Sequence, residues 1–205
     1  MLLRIHRFLP ITNAEGPGKR ACIWVQGCPI QCCGCAVPET WSFNGGRQID
    51  VQEIVERISD IPQIEGVTFV GGEPFMQAKE LSYIGRKIQE RGLSVLTFTG
   101  FVIDEIKKKK IKDWYDLLSV TDLLIDGPYR YDLADVSRPW VGSSNQNYHF
   151  LSQRYKYLEA EINNLSNRLE IRLYPNGQID VNGMASSEML KDIFNQAVII
   201  NNVAP

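Results

Sequence analysis

Four of the five cysteines in this chain fall within one short stretch, Cys28-Pro29-Ile30-Gln31-Cys32-Cys33-Gly34-Cys35, and none follows it. Three of them space as C-x3-C-x2-C, so a single loop has to present three thiolates together. That spacing suits an iron–sulfur cluster, and three protein ligands in place of four leave one iron open to an outside ligand. Gly27 before the first cysteine and Gly34 inside the loop allow a backbone that wraps closely around an inorganic core. Structural zinc is the alternative for Cys28, Cys32 and Cys35, with Cys33 or Cys22 as fourth ligand. Adjacent Cys32 and Cys33 fit one tetrahedral ion poorly, and zinc sites pair C-x2–4-C with a distant second pair. Cys33 reads as a bystander and Cys22, inside a strand pattern, as core. With no thiol after Cys35, one cluster is the expected inventory, and the clustering speaks for a reducing compartment and against a disulfide framework.

The pattern around the loop predicts an α/β fold. Leu2 to Phe8, Ala21 to Gln26, Val67 to Val70, Leu93 to Phe98 and Thr121 to Asp126 read as strands. Between them, Asp50-Val51-Gln52-Glu53 resembles a capping box ahead of Val51, Ile54, Val55 and Ile58 at helical spacing, and Leu81, Ile84 and Ile88 line a helix stopped by Gly92. Strands alternating with helices imply βαβ crossovers and parallel strands, for which an incomplete (β/α) barrel is the expected architecture. The cysteine loop, Gly71-Gly72-Glu73-Pro74, Thr99-Gly100-Phe101 and Asp126-Gly127-Pro128 each follow a strand's carboxyl end, the edge where such folds carry their sites. Residues 127–150 read as a long loop and Leu151 to Arg168 as a polar helix. Leu169 to Tyr174 and Gln178 to Asn182 read as a hairpin about Pro175-Asn176-Gly177, and Ser186 to Ala197 as a closing helix. Residues 1–150 thus form the expected core and 151–205 a C-terminal extension of helix and hairpin packed on the same domain.

The cysteine loop together with strand-GGEP resembles the radical S-adenosylmethionine (SAM) enzymes. Glu15-Gly16-Pro17-Gly18-Lys19-Arg20, Trp24-Val25-Gln26-Gly27-Cys28 and Cys35-Ala36-Val37-Pro38-Glu39-Thr40-Trp41 resemble the activating proteins of glycyl-radical enzymes. Asp126-Gly127-Pro128-Tyr129 and Gly142-Ser143-Ser144-Asn145-Gln146 are similar to segments of the anaerobic ribonucleotide reductase activating proteins, although Val37 stands where that branch usually has Asn. The resemblance implies one [4Fe–4S] cluster on Cys28, Cys32 and Cys35, with SAM chelated at the open iron. It implies that the GGE backbone and carboxylate lie along SAM's amino group. The cofactor-contacting set expected is Gly34, Cys35, Ala36, Gly71, Gly72, Glu73, Pro74, Thr99, Gly100 and Asp126, with no catalytic residue beyond cluster and SAM. A side chain at Gly72 is expected to weaken SAM binding and leave iron in place. The implied reaction is reductive SAM cleavage followed by abstraction of a glycine hydrogen from an anaerobic ribonucleotide reductase. The alternative target is another glycyl-radical enzyme, of the formate-lyase type, or a small molecule. The implied partners are that glycyl-radical enzyme and a flavodoxin or ferredoxin-type electron donor, with the 127–150 loop, Asn145 and Gln146 included, helping to form the docking surface.

At 205 residues and 44% hydrophobic content the chain can bury one substantial core, and its net charge of −2 provides no basic footprint for direct nucleic-acid binding. No run approaches the roughly 18 apolar residues of a membrane span, and Met1-Leu2-Leu3-Arg4-Ile5-His6 lacks a signal peptide's apolar core, so the expected location is cytoplasmic. Lys107 to Lys110 is either a solvated helix face or a docking patch for an acidic electron carrier. His6 and His149 show no ligand spacing and read as structural.

Overall fold

The computed structural model describes residues 1–200. Its strands and helices run β1 (Leu2–Thr12), β2 (Arg20–Val25), β3 (Arg47–Asp50), α1 (Val51–Ser59), β4 (Gly66–Gly71), α2 (Ala78–Gln89), β5 (Ser94–Phe98), α3 (Ile103–Lys109), α4 (Lys112–Val120), β6 (Leu123–Asp126), β7 (Asn147–Phe150), β8 (Leu169–Leu173), β9 (Ile179–Gly183) and α5 (Ser187–Ile200). The first seven strands form one sheet in the order β3-β1-β2-β4-β5-β6-β7. Its centre, β2-β4-β5-β6, is parallel as the alternation predicts. Its margins are antiparallel: β1 pairs with β2 and β3, and β7 returns along β6.

Period-two side-chain direction divides the central strands between two cores. Ala21, Ile23, Val25, Val67, Phe69, Val95 and Leu124 face α1, α2 and α4 in the larger one. Leu96, Leu123 and Ile125 face the opposite side, where Trp140, Val141, Tyr155, Leu158 and Ile162 cover them. Cys22 is fully buried there in a small cluster with Leu9 and Trp24, as its strand position implies.

Several local expectations need correction. Residues 151–168 are not one helix but two short 3₁₀ turns, Gln153–Leu158 and Ile162–Asn164. A 3₁₀ turn aligns residues three apart, which puts Tyr155 and Leu158 together on the sheet. The Tyr155 hydroxyl then meets Arg20 at 2.8 Å and Ser94 at 2.6 Å. The 127–150 segment is not all loop, because its end, Asn147–Phe150, is β7. Arg47–Asp50 has too few apolar residues to read as a strand, yet it pairs with the start of β1. Asp50 caps α1 by accepting from the Gln52 amide at 2.8 Å, while Glu53 turns away to Arg57, so only half of the capping box is made.

Candidate active site

The four motifs meet at the carboxyl edge of the parallel strands. β2 ends at Val25 and the cysteine loop begins three residues on, at Cys28; its base is fixed by backbone bonds from Gly27 N to Thr40 O (2.7 Å) and Cys28 N to Trp41 O (3.0 Å). The Gln26 side-chain amide adds bonds to the carbonyls of Glu39 (2.9 Å) and Ser42 (2.8 Å). Gln31 and Gly34 take positive φ of 50° and 78°, which lets the loop double back over eight residues. Cys28, Cys32 and Cys35 are half-buried and Cys33 is exposed.

Burial raises the Cys28 thiol, against backbone N–H groups of Gln31 and Ile30 that favour its thiolate. Burial likewise raises Cys32, against the amide of Tyr129, while Cys28 and Cys35 raise it further. Cys35 therefore lies close enough to act on both Cys28 and Cys32, and amides already aim at those two. Among the described residues no three Cys, His, Asp or Glu converge on a single ion position. Each thiolate of a cubane takes its own iron, so the donor set is judged by its chemistry, and three neighbouring half-buried thiols supported by amides fit that group.

The GGEP turn is stitched directly to this loop. Gly72 N donates to Val25 O (2.8 Å) and Glu73 N to Gly27 O (2.9 Å). A Cβ on Gly72 would sit 2.5 Å from the Gly27 carbonyl oxygen, so glycine is required here by close packing of two backbones. A side chain there would press on the base of the cysteine loop as well as on the rim. The Gly72 carbonyl accepts no hydrogen bond among the described residues and remains free for a donor.

Glu73 is buried, with Oε1 accepting from Phe75 N (2.9 Å) and the Thr99 hydroxyl (2.8 Å) and Oε2 from Gly100 N (2.9 Å). Burial pushes its pKa up to about 7, against those three donors. Glu73 thus clamps the β4 and β5 turns together, and Ile30 of the cysteine loop reaches across to Gly100. Asp126 is fully buried; its Oδ2 accepts from the first amide of α3, Ile103 N, at 2.7 Å, and Asn147 Nδ2 lies 3.4 Å from Oδ1. His149 Nε2 sits 3.0 Å from Oδ2, off the axis of a full hydrogen bond. Burial raises the Asp126 pKa, but His149 and the Ile103 amide outweigh it and hold the carboxyl below the usual range.

The Asp126-Gly127-Pro128-Tyr129 turn lies against the cysteine loop, with the rings of Tyr129 and Tyr131 beside Gly34. Asn145 Nδ2 donates to Pro128 O (2.8 Å) and Gln146 Nε2 to Gly127 O (3.2 Å), so both side chains point inward and brace the turn. The structure therefore brings all the expected residues to one rim: Gly34 and Ala36 exposed, Gly71, Gly72 and Gly100 half-buried, Glu73, Pro74, Thr99 and Asp126 buried. Gln26 stood in the Trp24–Cys28 motif without a role of its own, and Gln77 escaped the sequence reading. Gln77 bonds the Arg4 amide (2.7 Å) and the carbonyls of Arg4 (2.8 Å) and Gln26 (3.0 Å), a role that no local pattern announces. His149 was read as merely structural, because only strand pairing with β6 brings it to Asp126.

A family model described as a 4Fe-4S single cluster domain matches residues 14–149. The anaerobic ribonucleoside-triphosphate reductase-activating protein of Vibrio cholerae is 30% identical over 157 residues, covering 72% of this chain and 97% of its own length. The protein of that name from Escherichia coli is 27% identical over 157 residues, covering 73% and 99%. That of Enterobacteria phage T4 is 29% identical over 148 residues, covering 68% and 89%. Superposed on the crystal structure of QueE from Escherichia coli, the chain shows 17% identity and a TM-score of 0.40 over 49% of this chain and 53% of that one, a likeness too loose to argue from. The chain therefore belongs to the 4Fe-4S single-cluster domain family and, within it, to the anaerobic ribonucleoside-triphosphate reductase-activating proteins.

Proposed function

We propose that this chain is the radical SAM activase of an anaerobic ribonucleotide reductase, with Cys28, Cys32 and Cys35 holding one [4Fe–4S] cluster. When bound, the reduced cluster supplies the electron that cleaves SAM, and a hydrogen is taken from a glycine Cα of the reductase. The chain's own residues bind, orient and exclude water. The observation that carries this reading is the direct bonding of the GGEP turn to the base of the cysteine loop, Glu73 N to Gly27 O and Gly72 N to Val25 O. It ties a SAM-type turn to a three-thiolate loop as one rigid unit. The free Gly72 carbonyl is read as an acceptor for SAM's amino group. Glu73, Thr99, Gly100 and Asp126 are read as positioning residues for that edge, since their polar groups are already committed to one another or to α3 and β7.

We read the open sheet as an incomplete barrel, residues 1–150 as the radical SAM core and 151–205 as an extension packed on it. The match of residues 14–149 to the cluster family supports that division. A reducing, cytoplasmic compartment fits the free thiols, and no described helix is long and apolar enough to cross a membrane. A flavodoxin or ferredoxin-type protein is the inferred electron donor.

The test is to reconstitute the protein anaerobically, reduce it with dithionite, and mix it with SAM and the cognate reductase. A glycyl radical in the electron paramagnetic resonance spectrum of the reductase is expected, together with methionine and 5′-deoxyadenosine. A radical formed only on a formate-lyase-type enzyme, or SAM cleavage with no radical on any glycyl-radical enzyme, overturns the assignment.

A further inference from the structure

Trp140 is a bulky residue held at φ 63°, in the left-handed region that suits glycine, and it is buried. Its ring packs with Val141 against Leu96, Leu123 and Ile125, on the side of the sheet opposite α1 and α2. A conformation that is unfavourable for a side chain of this size persists only where its surroundings hold it. The holder is Asn167, which lies between the Ile162–Asn164 turn and β8. Its Oδ1 accepts from Trp140 N at 2.9 Å, and its Nδ2 donates to the carbonyls of Val136 and, at 2.9 Å, Arg138. The amide hydrogens and the oxygen of this asparagine thus all go to the backbone of residues 136–140.

From residues 136–140 the contacts run on to the cysteine loop. Arg138 Nη2 donates to the carbonyls of Ser143 (3.3 Å), Ser144 (3.0 Å) and Gln146 (3.1 Å). Gln146 Oε1 accepts from Gly142 N (2.8 Å) and Ser143 N (3.2 Å), while Gln146 Nε2 and Asn145 Nδ2 brace the carbonyls of Gly127 and Pro128. Tyr129, next in that turn, has its ring between two glycines: a Cβ on Gly142 would come within 3.2 Å of it, and so would a Cβ on Gly34 of the cysteine loop. The Tyr129 backbone N–H is also one of the groups that favour the Cys32 thiolate. Asn167 itself stands outside residues 14–149, the stretch matched by the cluster family. Ile162 and Leu165 seat its segment in the same core as Trp140.

We propose that Asn167 is a positioning residue for the cluster: by fixing residues 136–140 it sets, through Gln146 and Asn145, the turn that carries Tyr129 against the cysteine loop, and so tunes the cluster's reduction potential. This role rests on the activase reading and gives the C-terminal segment a part in its first step, reduction of the cluster. Hydrogen bonds to a cluster's sulfurs help set its potential, and an N–H aimed at a sulfur stabilises the more negative, reduced state. Loosening the turn withdraws the Tyr129 N–H from Cys32 and lowers the potential. An asparagine that served only to close a loop would change stability and leave the potential where it is.

Parent and variant proteins are reconstituted anaerobically and titrated potentiometrically without SAM, with the reduced cluster read by electron paramagnetic resonance. In Asn167→Ala the midpoint is expected to move to a more negative potential. At the parent's midpoint the ratio of reduced to oxidised cluster should fall about twofold to tenfold, the net worth of one hydrogen bond; tenfold corresponds to about 59 mV for one electron. Gln146→Ala, which breaks the same chain of contacts nearer the turn, should shift the midpoint in the same direction. The two changes together should shift it by less than their sum, because they act in series. Asn182→Ala loosens the C-terminal segment away from Trp140 and should leave the midpoint unchanged, which separates positioning from a general loss of stability. A midpoint in Asn167→Ala equal to or above the parent's overturns the proposal, as does an equal shift in Asn182→Ala, and the activase reading survives both results. If Asn167→Ala retains no cluster, Gln146→Ala decides alone, and an unshifted midpoint there overturns the proposal. A parent protein with no cubane signal overturns the positioning role and the activase reading together.

Discussion

At the cysteine rim the fit between elements is made by backbone, whereas along the C-terminal hairpin it is made by polar side chains. Gly72 and Glu73 meet the cysteine loop through amides, with no room for a Cβ between Gly72 and Gly27. The β8–β9 hairpin turns its polar face to the core instead. Glu170 accepts from the Thr12 hydroxyl and the Asn13 amide, both at 2.7 Å; Arg172 donates to Ile11 O at 2.8 Å; Asn182 donates to Thr12 at 3.0 Å. Its apolar face looks outward, with Leu173 75% and Ile179 47% exposed. The relatives are spanned almost end to end by about three quarters of this chain, and the cluster-family match stops at residue 149. The difference teaches what each region has to do. A rim that encloses an inorganic core admits one geometry, so glycine and backbone fix it; an appended hairpin needs only attachment, which hydrogen bonds provide.

If the rim is a cluster site, the largest effects belong to its thiols. Cys28→Ala, Cys32→Ala and Cys35→Ala should each abolish the brown chromophore after anaerobic reconstitution, while Cys33→Ala retains about four iron and four sulfide per chain, the cubane stoichiometry. Iron and sulfide analysis checks this, and loss of the cluster in Cys33→Ala would mean the ligands are misassigned. Gly72→Ala comes next. Because its new methyl would lie 2.5 Å from the Gly27 oxygen, both cluster content and SAM affinity by calorimetry should drop. Full iron with weakened SAM binding would mean that the loop base yields, and that the backbone rule at the rim is softer than the geometry implies.

How much of each region was legible in sequence follows from the same contrast. Cysteine spacing and glycines are local signals, and the strands before them set the edge on which they stand, so the rim was readable from residues 28 to 126. The alternating strands gave the parallel centre for the same reason. What failed depends on distant pairing. Asn147–Phe150 becomes a strand only because β6 offers an edge, and residues 151–168 become 3₁₀ turns because Tyr155 finds Arg20 and Ser94 in the sheet. Gln77 and His149 carry their partners from other elements. The hairpin itself was readable from its turn, but not its orientation, since a polar face inward inverts the usual burial preference.

Glu73 offers an intermediate test of how tightly the rim is built. Its folded pKa is near 7 and its ordinary value 4.5, so the folded state holds the proton longer than the unfolded one. Stability from this group is therefore fully present below about pH 4.5 and is lost as pH rises through 7, by at most about 3 kcal/mol. Urea midpoints of the cluster-free protein should fall between pH 5 and pH 8, and Glu73→Gln should flatten that fall while lowering the midpoint at all pH values, because an amide cannot accept from the Thr99, Phe75 and Gly100 donors at once. An unchanged pH slope in Glu73→Gln would show that the carboxylate is better solvated than its burial implies.

The smallest effects separate the two faces of the hairpin. Asn182 is buried against Thr12 and Glu15, and Glu15 Oε1 also accepts from Gly183 N at 2.9 Å. Asn182→Ala removes two donors from that pocket and leaves acceptors short of partners, a change worth about 1 to 3 kcal/mol. Leu173→Ser removes a larger apolar side chain, yet on the exposed face, where substitutions usually stay within about 0.5 kcal/mol. Urea unfolding of the two variants, with limited proteolysis to locate the loosened segment, should therefore rank the polar change above the apolar one, with cleavage near residues 169–183 in Asn182→Ala and cluster content unchanged in both. The reverse ranking would mean that the outward face of the hairpin is covered in solution, and that the extension attaches by apolar burial after all.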